Sequence, residues 1–209
     1  MTFSTSMQWR YATKKFDTAA KVPEEQIQDL LHSVRLAPSS YGLQPYKVFD
    51  VRSEHVRQQI REASMGQPQI TEGSHLLVFA ARTDLDIDAV TQFIDLAAST
   101  RGVARESLAA RETHIQGAVN KLSPAERVTW AQKQVYLALG VLVGAAAHAG
   151  IDVCPMEGFD RAQVDHILGL SEQGLTATVF AVLGHRASDD PTAGLNKVRK
   201  SAESLFVTV

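Results

Sequence analysis

Ile27, Leu30, Leu31 and Val34 recur at i, i+3, i+4 and i+7, the spacing that lays one buried stripe along a helix. That spacing predicts a helix over residues 23–36, with Pro23 at its first turn. Glu24 and Glu25 follow, where the helix dipole favours anions. Pro38 ends it, because a proline disfavours helical backbone in the residue before it. Residues 46–52 read as a strand and 55–64 as a short helix, with Gly66 and Pro68 breaking the chain into a loop. The continuous apolar run 76–81 predicts a strand covered on both faces. Residues 87–122 read as two helices broken near Gly102. Ser123-Pro124-Ala125-Glu126 is a capping signature for a helix running to Ala149 and stopped by Gly150. The second half of that helix is apolar all round, which predicts burial on every side. Gly140 and Gly144 lie four apart on one of its faces, as close helix packing requires. Short strands follow at 151–154 and 175–183, with a helix at 160–168 between them. The tail 204–209 alternates weakly and can extend as a strand. Helices and strands are mixed without regular alternation, which predicts an α+β fold in a single domain over 1–209.

The 209 residues hold 44% hydrophobic and 21% charged side chains, a globular composition. The formal net charge is −2, so no basic excess recruits nucleic acid or an anionic membrane. The lone Cys154 forms no intrachain disulfide, and a cytoplasmic setting is the expectation. Residues 1–10 carry no apolar signal core, and the uncharged run 135–147 falls short of the roughly 20 residues of a membrane span.

The seven histidines are scattered, without metal-ligand spacing, so no metal site is expected. There is no G-x-S-x-G elbow, and Cys154 reads as a small buried hydrophobe. Dinucleotide and P-loop glycine patterns are absent. What remains is two basic clusters and three polar loops. Arg10-Tyr11-Ala12-Thr13-Lys14-Lys15 and Lys197-Val198-Arg199-Lys200 are either solvated patches or, brought together, a monophosphate pocket. The loops Pro38-Ser39-Ser40-Tyr41-Gly42-Leu43-Gln44-Pro45, Gly66-Gln67-Pro68-Gln69 and Pro155-Met156-Glu157-Gly158-Phe159-Asp160 are either ordinary connectors or donor-rich ligand loops.

Taken together and in this order, these segments resemble the nitroreductase family of FMN-dependent, NAD(P)H-using flavoproteins. Lys133-Gln134-Val135-Tyr136-Leu137 in the long helix fits as well. The similarity covers essentially the whole chain and is nearest to small oxygen-insensitive members that also reduce quinones and pteridines. It implies a central mixed sheet flanked by helices and an intertwined homodimer. Two FMN sites would lie at the dimer interface, and the C-terminal strand would be exchanged between subunits.

The resemblance assigns roles residue by residue. Arg10, Lys197 and Arg199 match phosphate-binding positions, and Lys14 matches one at the flavin N1/O2 edge. Gln69 matches a position bonding the flavin pyrimidine. Pro38, Ser39 and Ser40 match a loop from the other subunit, with Gly42 beside them; Tyr11 and Ala12 lie in the cofactor-binding stretch. Pro155, Met156, Glu157 and Gly158 match the segment along the isoalloxazine, with the Glu157 N–H as donor to flavin N5. Gln134 matches a helix position near the ribityl chain or the pocket wall. Glu157 and Lys14 are thus the implied catalytic residues.

Ala12, Gly42 and Gly66 stand where many or some members carry Ser, Asn and Asn. Each lost hydrogen bond weakens FMN by about 0.5–1.5 kcal/mol. Residues 108–117, the substrate cover in relatives, match poorly. The implied reaction is ping-pong: hydride passes from NADH or NADPH through flavin N5 to a nitroaromatic or quinone. The alternatives are a reductase of flavin, aldehyde or enoate on the same fold, a non-catalytic FMN-binding protein, and a phosphate-ligand module without flavin.

Overall fold

The apolar run at 76–81 forms the middle of a central strand, walled by helices on both sides. The computed structural model describes residues 2–209. In chain order the helices and strands begin α1 (Phe3–Trp9), α2 (Glu24–Arg35), β1 (Tyr46–Asp50), α3 (Glu54–Glu62) and α4 (Gln69–Glu72). They continue β2 (His75–Arg82), α5 (Ile87–Arg101), α6 (Ala109–Asn120), α7 (Pro124–His148) and β3 (Asp152–Met156). The last are α8 (Arg161–Ile167), β4 (Leu175–Gly184) and α9 (Ala202–Leu205).

The strands lie in the order β1-β2-β4-β3, and every neighbouring pair is antiparallel. The expected α+β class holds, but the expected mixed sheet is antiparallel instead. β2 and β3 point the same way, yet β4 lies between them. Among the described residues the parallel contact is the isolated bridge Ala12–Val153.

Alternation along β2 explains the two-sided core. Leu77, Phe79 and Ala81 face α2 and α7, where they meet Ile27, Leu30, Val135 and Leu142. Leu76, Val78 and Ala80 face the other way, toward Ile60, Ile70 and Val164 of α3, α4 and α8. A third cluster joins α5 and α6 through Val90, Ile94, Ile115 and Val119, with Tyr41 and Trp130 packed against it.

Gly73 shows how tightly the second face is packed. A Cβ built there would stand 2.1 Å from Val182 Cγ1 and 3.2 Å from two backbone oxygens. Gly73→Ala is expected to destabilise the fold by about 1–3 kcal/mol, as overpacking does. Thermal unfolding monitored by circular dichroism checks it; an unchanged Tm contradicts the packing described.

The capping box at Ser123 and Glu126 forms, with the Glu126 carboxylate 2.8 Å from the Ser123 amide nitrogen. Gly102 ends α5 in the left-handed conformation, φ 64°. Three expectations are corrected. The second half of α7 is not buried all round: Lys133, Tyr136, Leu137 and Gly140 form an open stripe, and Leu137 is 48% exposed. Its small residues serve unequally, since Gly144 lies under the Phe3 ring while nothing lies within 4 Å of a Cβ at Gly140. The loop expected around Gly66 and Gln69 contains α4. In the tail, Ser204 and Leu205 belong to the one-turn α9, and residues 206–209 pair with no strand of this chain.

Candidate functional site

The two basic clusters meet. Trp9, Arg10, Tyr11 and Lys14 form one wall of a cavity of about 490 Å³, and Lys197 and Arg199 stand on the other. Ala12 also lines it. The Lys197 ammonium donates to the carbonyls of Met7 and Arg10, which holds it at the cavity wall. Burial, and then the Arg199 charge, lower the Arg10 pKa. Burial, and then Arg10 and Arg199, lower that of Lys197. Cations that depress one another this way are an electrostatic cost that a bound anion removes. The Arg10 Nε is buried and has no hydrogen-bond partner among the described residues. An orphaned guanidinium donor in a cationic cavity fits a phosphate, which accepts from it at full charge.

The basic segment is fastened along β3 by the Ala12–Val153 bridge. Cys154, next on that strand, is buried, and burial pushes its thiol pKa up despite the nearby Lys14. It is the buried hydrophobe expected. Where β3 ends, Pro155 and Gly158 are half-buried, Met156 is buried and Glu157 is exposed. The Glu157 N–H meets no acceptor among the described residues. Its carboxylate accepts from the Tyr136 hydroxyl at 2.6 Å. Burial and that carboxylate push the Tyr136 pKa up to about 12. The Gln67 amide donates to the Gly158 carbonyl at 2.8 Å and binds this turn to the loop before α4. Met65 and Gly66 take φ of 56° and 70° in that loop. Glycine and asparagine both tolerate such backbone, so the Gly at 66 keeps the turn while removing a side-chain amide. Gln69 is buried on α4, and its Oε1 has no partner among the described residues.

The remaining predicted residues lie elsewhere. The Ser40 N–H donates at 2.8 Å to Oε1 of buried Gln134, whose own amide donates to the Trp130 carbonyl. Pro38, Ser39, Ser40 and Gly42 lead into β1, whereas the cation cavity adjoins β3. β1 and β3 are opposite edges of the sheet, three strand spacings or about 14 Å apart. This loop and Gln134 therefore take no part in the cation cavity of their own chain. Gly42, at φ 85°, lies close to the Phe93 ring, and Arg111 of α6 donates to the Tyr41 carbonyl.

Sequence reasoning gave no site role to several residues that shape the site: Trp9, Tyr136, Asp152, Arg186 and Asp190. The Arg186 guanidinium lies over the rings of Trp9 and Tyr11, 4.2 and 4.5 Å from their centroids. It pairs with the buried Asp152 carboxylate at 2.6 Å. The Asp189-Asp190 pair shortly before the second basic cluster was the available signal.

Fold and site together define a class: an α+β protein whose sheet edge carries a cavity suited to an anionic group. Residues 7–185 match the model of the nitroreductase family. The chain is 34% identical over 192 residues to YfkO of Bacillus subtilis, named as an NAD(P)H nitroreductase, covering 87% of each. It is 29% identical over 208 residues to the oxygen-insensitive NAD(P)H nitroreductase of Salmonella typhimurium, covering 96% of each. A nitroreductase structure from Exiguobacterium sibiricum, in complex with FMN, superposes with a TM-score of 0.85 at 19% identity. That match covers 100% of this chain and 98% of the other. The chain belongs to the nitroreductase family. No helix among the described residues is long and apolar enough to cross a membrane.

Proposed function

We propose that this protein is an FMN-dependent NAD(P)H oxidoreductase that reduces nitroaromatics and quinones, acting as a homodimer of single-domain chains. The observation that carries the reading is the cavity itself, with its orphaned Arg10 Nε and mutually repelling Lys197 and Arg199. Arg10, Lys197 and Arg199 would hold the FMN phosphate, and Lys14 would stand near the ring's N1/O2 edge. The free Glu157 N–H would donate to N5, and the unpartnered Gln69 amide oxygen would accept from the pyrimidine. When bound, FMN would supply the two-electron hydride chemistry that links NADH or NADPH to the acceptor. The chain's own part is to bind, orient and tune: a cation near the pyrimidine favours the charge that reduction places there.

The dimer reading rests on three features. The loop with Pro38, Ser39, Ser40 and Gly42 stands on the sheet edge away from its own chain's cavity. It is free to serve a partner's site. The α7 stripe at Leu137 and Gly140 is uncovered. The tail beyond α9 leaves Phe206, Val207 and Val209 exposed, as an exchanged strand would before it finds an edge.

Steady-state kinetics with NADH and NADPH, varied against menadione and against a nitroaromatic acid, test the activity. Turnover with parallel double-reciprocal lines is expected, since donor and acceptor share one stacked pocket in turn. Bound flavin without turnover by either donor would leave a binding protein instead.

A further inference from the structure

The walls of the cation cavity come from chain segments far apart in sequence, and beyond the end of α1 at Trp9 neither wall is a regular element. Residues 10–15 carry one isolated bridge, at Ala12, and 187–200 are turns and coil. The Asp190 carboxylate joins them. Its Oδ2 accepts the N–H groups of Lys14 and Lys15 at 2.8 and 3.0 Å. Its Oδ1 accepts the Thr192 N–H and hydroxyl at 2.8 and 2.7 Å. The side chain is only 6% exposed, and all four donors converge on it. Lys15 and Asp189 add an ion pair at the solvent side of the same junction.

We infer that Asp190 is a positioning residue: it holds the wall bearing Arg10 and Lys14 in register with the wall bearing Lys197 and Arg199, so that the cavity is preformed for a phosphate. This deepens the flavin reading above and rests on it. Asp190 touches no ligand in this scheme. It acts through the Lys14–Lys15 backbone on one side and through Thr192, at the start of the segment leading to Lys197, on the other.

Burial alone would raise the carboxyl pKa, but the hydrogen bonds from Thr192, Lys15 and Lys14 outweigh it and hold it far below the usual carboxylate range. Because the folded value is depressed, the stabilisation is fully present above the ordinary carboxylate pKa. It is lost only as pH falls through the lowered value.

A carboxylate is the one side chain of this size that offers two acceptor oxygens and no donor. Asparagine, whichever way it is turned, aims its NH₂ at donors: either the Lys14 and Lys15 amides or Thr192. Asp190→Asn therefore opens the junction while nearly preserving volume and shape.

The test compares FMN with riboflavin, which differ in the phosphate alone. Apoprotein is titrated with each, and bound flavin is read by fluorescence quenching. In the wild type FMN is expected to bind far more tightly than riboflavin. In Asp190→Asn the FMN affinity is expected to fall about 10²-fold or more, as for two lost charge-assisted hydrogen bonds, with riboflavin within about 3-fold of wild type. Thr192→Val, which keeps the carboxylate and removes one donor, is expected to show the same selective loss at about 10-fold or more, the worth of one bond to a charged group. It also carries the test if Asp190→Asn does not fold. Unchanged FMN preference in the folded variants, or equal loss of both flavins, overturns the inference. A wild type that binds the two flavins equally overturns the FMN reading itself and this inference with it, an outcome visible before any variant is made.

Discussion

Arg10→Ala combined with Arg199→Ala is expected to purify largely as colourless apoprotein. The wild-type cavity crowds cations so closely that the Arg10 pKa is lowered by burial and by Arg199. Nothing in the chain pairs the Arg10 Nε among the described residues. A phosphate there gains hydrogen bonds to charged donors, each worth about 1.5–3 kcal/mol. Losing two such donors costs about 3–6 kcal/mol, or roughly a 10²- to 10⁴-fold loss of FMN affinity. Removing cations that repel one another in the empty cavity relieves strain, so the apoprotein should keep or gain thermal stability. Flavin content by absorbance, beside a melting curve, separates the two effects. Full FMN retention in the double variant contradicts the placement of the phosphate.

In the proposed homodimer, Leu137→Asp is expected to yield monomer and to remove most bound FMN and activity together. Leu137 sits mid-helix in the open stripe of α7, and burying a leucine contributes about 1.5–3 kcal/mol. A two-fold interface presents the substitution twice, and each unpaired carboxylate it buries costs several kcal/mol more. The monomer should still fold, because the residue faces away from the core formed by Val135, Ala138 and Leu142. Cofactor loss follows only if the loop at Ser39 and Ser40 completes the partner's site. Light scattering reports the mass and absorbance the flavin. A monomeric variant that keeps its full FMN content would show that one chain suffices for the site.

Local signals in the sequence foretold much of the fold. The stripe of α2, the capping box of α7 and the Gly102 stop each depend on residues within a turn or two of one another, and each formed. Helix α1 did not announce itself. Its Ser and Thr residues are poor helix formers, and it is held by the Thr2 cap and by Phe3 packing on Gly144, a contact with a helix far along the chain. Strand direction was invisible for the same reason: pairing of β2 with β4 is decided between residues about a hundred positions apart.

The candidate site divides in the same way. Arg10, Lys14, Lys197 and Arg199 were readable as charges, but whether they meet depends on the tertiary fold. Asp190 drew no role from the sequence because its partners, the Lys14 and Lys15 amides, lie at the other end of the chain. Tyr136 was hidden in an apolar helix, where only the position of the β3 exit reveals its bond to Glu157. The opposite-edge placement of the Ser39–Ser40 loop follows from strand order, which no local pattern encodes.

An anaerobic visible spectrum of the purified protein, before and after NADPH or NADH, tests the central claim most directly. A yellow flavin spectrum is expected, bleaching on addition of the nicotinamide and returning with a quinone or nitroaromatic. No flavin in the protein, and none taken up from added FMN, would contradict it.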